Sequence, residues 1–122
     1  MRKQYSYENL NFTIGGRKTE INFNEILYLE SVNNYTICKL QDGTEMLSSK
    51  PIGVYEKVLK DFIYFVRTHR SFIVNLSNID DLEFNCRGGK VQVGEKEFEI
   101  SRRKVAEFRK KYKDFRLMQN IA

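Results

Sequence analysis

The sequence predicts a mainly β domain of small antiparallel sheets with one short internal helix and a C-terminal helix. Three observations lead there. Short apolar stretches alternate with polar residues along most of the chain, Gly- and Asn-rich turns separate them, and helical spacing replaces the alternation in only two places. The chain has 122 residues, enough for one core, and a single domain over 1–122 is expected.

The elements follow in order. Leu10, Phe12 and Ile14 alternate with polar residues, and Gly15-Gly16 turns the chain into 19–23, where Ile21 and Phe23 alternate again. Residues 26–30 and 35–40 are two further strands, separated by Ser31-Val32-Asn33-Asn34. Asp42-Gly43 predicts a two-residue hairpin turn with positive φ at both positions, leading into 44–48. Pro51, the only proline, suits the first turn of a helix, where its missing N–H is not needed. Ile52, Tyr55, Val58, Leu59 and Phe62 then share one helical face. Strands return at 63–66, 72–76 and 82–86, and Gly88-Gly89 is expected to turn the chain into 91–93. Gly94 turns it again into 98–100. The last helix is placed at about 102–115, with Ser101 as its N-cap and Val105, Phe108, Tyr112 and Phe115 facing inward. No βαβ alternation, repeat or low-complexity segment interrupts this plan, which points to antiparallel pairing.

Composition narrows the class. Apolar residues make up 41% and charged residues 30%, a globular balance that argues against disorder. No apolar run approaches the roughly 20 residues of a membrane span. The N-terminal MRKQYSYENLNF has no apolar signal-peptide core, so a cytoplasmic location is expected. Cys38 and Cys86 form no CxxC pair and are expected to be small buried hydrophobes. One histidine, His69, cannot complete the usual ligand sets, so neither metal nor cofactor is expected.

Net charge is +5, and the excess is local. Residues 1–61 hold eight basic and eight acidic side chains, whereas 101–116 hold eight and two. Such a field suits a polyanion, and charge alone fits a solvated helix face equally well. Of these cations, Arg109, Lys110, Lys111 and Lys113 are read as late in the helix, where the dipole favours them.

Catalysis has little to stand on. The chain lacks GxSxG, a Walker loop, HExxH and GxGxxG. His69 is the one candidate base, with no nucleophile or orienting carboxylate nearby in sequence, and no enzyme is expected. The aromatic residues, including Phe12, Phe23, Phe62, Phe84 and Phe108, mostly occupy the apolar phase and read as core rather than as a stacking platform for single strands.

Three polar segments stand out. Asn33-Asn34-Tyr35 parts two apolar strands; paired Asn residues form turns readily, and Asn can also pair with an adenine edge. Arg67-Thr68-His69-Arg70-Ser71 reads either as a solvated connection paired with Asp80 or Asp81, or as a loop aimed at phosphates and a guanine edge. Ser101-Arg102-Arg103-Lys104 puts three cations at a helix start. There each costs about 0.3–1 kcal/mol at low salt unless an external anion compensates.

Read together, these segments resemble one family. Ile26-Leu27-Tyr28-Leu29-Glu30-Ser31 with Asn33-Asn34-Tyr35, Phe65-Val66-Arg67-Thr68-His69-Arg70-Ser71-Phe72-Ile73-Val74-Asn75, Ile79, and Ile100-Ser101-Arg102-Arg103 are similar, in order and spacing, to LytTR domains over about 10–112. The resemblance implies an elongated β structure and a bacterial response-regulator output domain of two-component systems. Such a domain binds double-stranded DNA at promoters, with loops in successive major grooves. It further implies base contacts at Asn34, Arg70 and Arg103. Asn34 and Arg70 differ in residue type from a well-studied family member, so the bases read there should differ. Asn33, Arg67, His69, Ser71, Ser101, Arg102 and Lys104 are expected to hold phosphates or orient the loops.

Family members usually occupy paired sites as dimers, so a homodimer on repeated DNA sites is expected, with weak self-association alone. Members usually follow a receiver domain, which this sequence lacks, so a separate receiver or sensor protein is a further expected partner. An excised output domain and a free-standing regulator are both open readings, and Met1 with the ten residues before the match suits a natural start. The alternatives are a protein-interaction module with a non-specific basic surface, a single-strand or RNA binder using Tyr35 or Tyr64, and an enzyme centred on His69.

Overall fold

The computed structural model describes residues 8–121, without the side chains of 120 and 121, and antiparallel sheets form where the alternation is cleanest. β1 (Asn9–Ile14) and β2 (Arg17–Asn22) make a hairpin with Leu10 opposite Ile21 and Phe12 opposite Thr19. Gly15 and Gly16 turn it with φ of 56° and 80°, values that glycine adopts without a Cβ clash.

The central sheet comprises β3 (Ile26–Val32), β4 (Tyr35–Leu40), β5 (Glu45–Ser48), β6 (Phe65–His69) and β7 (Phe72–Asn75), in the order β5-β4-β3-β7-β6. α1 (Ile52–Leu59) lies between β5 and β6 in sequence. β8 (Asp81–Asn85), β9 (Gly88–Val93) and β10 (Lys96–Ile100) form a three-stranded sheet, and α2 (Val105–Ile121) ends the described chain.

Neighbouring residues of the central sheet point to opposite faces and feed two cores. Leu29, Cys38, Phe65 and Ile73 pack with the β1–β2 hairpin and with Ile52, Tyr55 and Leu59 of α1. Tyr28, Val66 and Val74 pack on the other face with Val91, Phe98 and Ile100 of the second sheet and with Val105, Phe108 and Phe115 of α2. The sheet is therefore the middle layer, and its alternation specifies both interfaces at once.

Several elements depart from expectation. The β4–β5 connection is a four-residue loop, 41–44: Gly43 N–H donates to Leu40 O, Leu40 N–H to Thr44 O, and within it only Gly43 has positive φ. Asp42 instead accepts the Thr44 N–H at 2.8 Å. In α1 Val58 is exposed, and Phe62, beyond the helix, packs on the first core from a turn. β6 begins later than expected and runs through Arg67-Thr68-His69, so the second polar segment is mostly strand.

Gly88 and Gly89 open β9, and the turn before them is Cys86-Arg87. Glycine is needed at 89 for close approach, since a Cβ there would lie 2.3 Å from Glu83 O and 2.5 Å from the Phe84 Cβ. Cys38 is buried, with its thiol pushed up to about 12 by desolvation, whereas Cys86 is exposed in its turn. Tyr64 is half-buried against both cores rather than on the surface. α2 continues to Ile121, past the expected end.

Candidate nucleic-acid interface

The geometry of the central sheet brings the three polar segments to one end. β3 runs into the Asn33-Asn34 turn, and its antiparallel neighbour β7 starts from the Arg70-Ser71 turn, with Glu30 opposite Phe72. Ser31 N–H donates to Ser71 O at 2.7 Å, so the two turns leave the sheet side by side. The segment after β10 joins them, because Ser101 N–H donates to Thr68 O at 2.9 Å.

The first turn needs a left-handed residue, and Asn33 supplies it at φ 57°, a conformation that Asn tolerates well. Ser31 Oγ donates to Asn33 O at 3.4 Å. Asn34 and Tyr35 are exposed beside it.

The second turn is held by its own polar groups. Arg67 Nε donates to His69 O at 3.1 Å, and the same guanidinium reaches Arg70 O and the Glu56 carboxylate of α1. Ser71 N–H donates to His69 Nδ1 at 3.3 Å, which assigns the proton of a neutral ring to Nε2. Arg67 and His69 therefore brace the turn, and Arg70 at its tip is exposed. The expected Asp80 and Asp81 partners lie elsewhere: Asp80 accepts the Gly94 N–H at 2.7 Å and Asp81 the Leu82 N–H at 2.9 Å.

The third segment is a 3-10 turn rather than the first turn of an α-helix. Ser101 is extended (φ −66°, ψ 151°), its hydroxyl caps nothing, and Lys104 N–H closes Arg102–Lys104 on Ser101 O at 2.9 Å. The expected side-chain cap does not form, because the Lys104 N–H that a Ser101 hydroxyl would accept goes to the Ser101 carbonyl. Lys104 lies 3.9 Å from Glu107, one turn into α2. Arg102 and Arg103 are exposed.

His69, Arg70, Ser101, Arg103 and Lys104 line one shallow, open depression. Among the described residues, the side chains of Asn34, Arg70 and Arg103 have no hydrogen-bond or ion-pair partner. Two more cations stand at this end that sequence reasoning did not single out. Arg87, in the β8–β9 turn, shares a second depression with Arg102, and Lys50 follows β5, where Thr36 Oγ1 donates to its carbonyl at 2.8 Å. Neither sits in a motif, so no spacing could have marked them.

The basic residues of α2 resolve differently. Lys111 turns inward and donates to Lys60 O at 2.9 Å and Phe65 O at 2.8 Å, with its pKa lowered by desolvation. Arg109 lies 5.4 Å over the Phe84 ring and Arg116 5.9 Å over the Tyr112 ring. These contacts use the side chains within the fold, whatever the helix dipole adds. Among the described residues, no group of His, Cys, Asp and Glu is arranged to hold a metal, and no helix is long and apolar enough to cross a membrane.

Comparison with known proteins identifies the family. The family model for the LytTr DNA-binding domain matches residues 16–113. Among solved structures, a LytTr DNA-binding domain from Bacillus cereus superposes with a TM-score of 0.68 at 21% identity, over 87% of this chain and 97% of that one. A search of the curated proteins finds no match. With four-fifths of its length inside the family model, the chain belongs to the LytTR family of DNA-binding domains.

Proposed function

We propose that this protein is a sequence-specific double-stranded DNA binder that regulates transcription through loops placed in successive major grooves. One observation carries the reading. Three separate segments deliver Asn34, Arg70 and Arg103, none with a partner among the described residues, to one cationic end of the sheet. Arg pairs bidentately with guanine and Asn with adenine, so these are suitable side chains for base edges. Asn33, Ser71, Ser101, Arg102 and Lys104, with Lys50 and Arg87, surround them as phosphate contacts. Arg67 and His69 act behind the turn as its supports. The protein works in the bacterial cytoplasm as a response-regulator output domain of a two-component system, as a homodimer on repeated promoter sites, and with a separate receiver or sensor protein.

Random-duplex selection at near-physiological salt tests this. Enrichment of a short motif, repeated about one helical turn apart, is the expected result. Retention without enrichment would contradict it and favour a protein-interaction module with a non-specific basic surface.

A further inference from the structure

The Arg67 side chain is only 14% exposed although it carries a full charge beside a cationic surface. A guanidinium is a planar fork of five N–H donors. Here it grips two successive carbonyls of one turn, His69 O and Arg70 O, while another arm meets Glu56 of α1. The turn needs such a brace because the β6–β7 register is broken between Arg67 and His69, and a bulge leaves a residue outside the ladder. Glu56 supplies the countercharge that keeps the guanidinium under the turn rather than turned out towards phosphates. It does not line the cationic depression.

We propose that Glu56 is a positioning residue for base recognition: acting through Arg67, it fixes the turn from which Arg70 reads DNA. This rests on the role given to Arg70 above.

The test uses a duplex enriched by selection with the parent protein and a random-sequence duplex pool of equal length. Glu56→Ala should weaken binding to the selected duplex about tenfold, within the usual coupling range of contacting residues. Binding to the random pool should change less than about twofold, since every proposed phosphate contact except Ser71 lies outside this turn. Base preference should relax at the same position that Arg70→Ala relaxes. Glu56→Gln, whose amide oxygen still accepts from the guanidinium, should retain more affinity, and it carries the comparison if thermal unfolding shows Glu56→Ala misfolded. In an Arg70→Ala background, removing Glu56 should change nothing further.

Parent-like binding, equal losses on both duplexes, or additive losses in the double variant would overturn the proposal. If Arg70→Ala alone leaves affinity and base preference unchanged, the role of Arg70 itself falls, a result separable from failure at Glu56.

Discussion

The two ends of the central sheet use the same kinds of residue in opposite ways. At the end holding the β4–β5 loop, polar side chains close on the chain itself. Asn75 Nδ2 donates to Phe23 O at 2.9 Å and Ile26 O at 2.8 Å, while its Oδ1 accepts from Ser77 N at 3.0 Å and Oγ at 2.6 Å. Asn78 donates to Ile26 O at 2.9 Å and accepts from Gln41 at 2.8 Å. At the other end, Asn34, Arg70 and Arg103 are exposed with no partner among the described residues. A turn Asn is thus a structural tie or an open donor–acceptor pair, and only the inventory of partners separates the two.

Substitutions at each end should therefore fail in different assays. The largest effect is expected at Asn75, which is buried: alanine would take one donor from each of Phe23 O and Ile26 O and leave the Ser77 N–H and hydroxyl without their acceptor. A loss of about 3 kcal/mol in denaturant unfolding is predicted, from four lost hydrogen bonds at roughly 0.5–1.5 kcal/mol each. The folded fraction should bind DNA normally. Arg103→Ala should do the reverse. Unfolding should stay within about 0.5 kcal/mol of the parent, while affinity for the selected duplex drops by about 1–3 kcal/mol and one base position loses discrimination. A parent-like dissociation constant for Arg103→Ala would remove it from base reading. Lys104→Ala should weaken all duplexes alike and reduce the slope of log affinity against log salt by about one.

The smallest effect probes the seam between β6 and the third segment. Thr68 is buried, and its hydroxyl has no hydrogen-bond partner among the described residues. Thr68→Val keeps the shape and removes an unsatisfied group, so stability should be unchanged or rise by up to about 1 kcal/mol. A clear loss of stability would mean that the hydroxyl does useful work in the folded state.

What could be read in the sequence follows from the same logic. The strands with one buried face, such as β1, β2 and β4, announced themselves because burial imposes the alternation directly. The three polar segments also stood out, since nothing in an apolar pattern explains them. β6 hid its second half because Arg67 belongs to a strand yet folds beneath a turn, an arrangement set by Glu56 in another element. Ser101 looked like a cap, but the Lys104 N–H it would have accepted bonds its carbonyl in a 3-10 turn. Gly88-Gly89 looked like a turn, but Gly89 answers to the close approach of β8 and Gly88 to that of Ile100 in β10. Lys111 looked like a dipole-favoured surface cation, yet it is drawn to carbonyls around the end of α1. At Arg67 and Lys111 a tertiary contact with a partner distant in sequence overrides a local rule, whereas Gly89 and Ser101 answer to neighbours within six residues.

The most direct measurement is an amide chemical-shift titration of the labelled protein with the selected duplex. Perturbations concentrated at residues 33–35, 69–71 and 101–104 are expected, with the amides of Gln41, Ser77 and Asn78 little changed. Perturbations centred on the Gln41–Asn78 end instead would contradict this expectation.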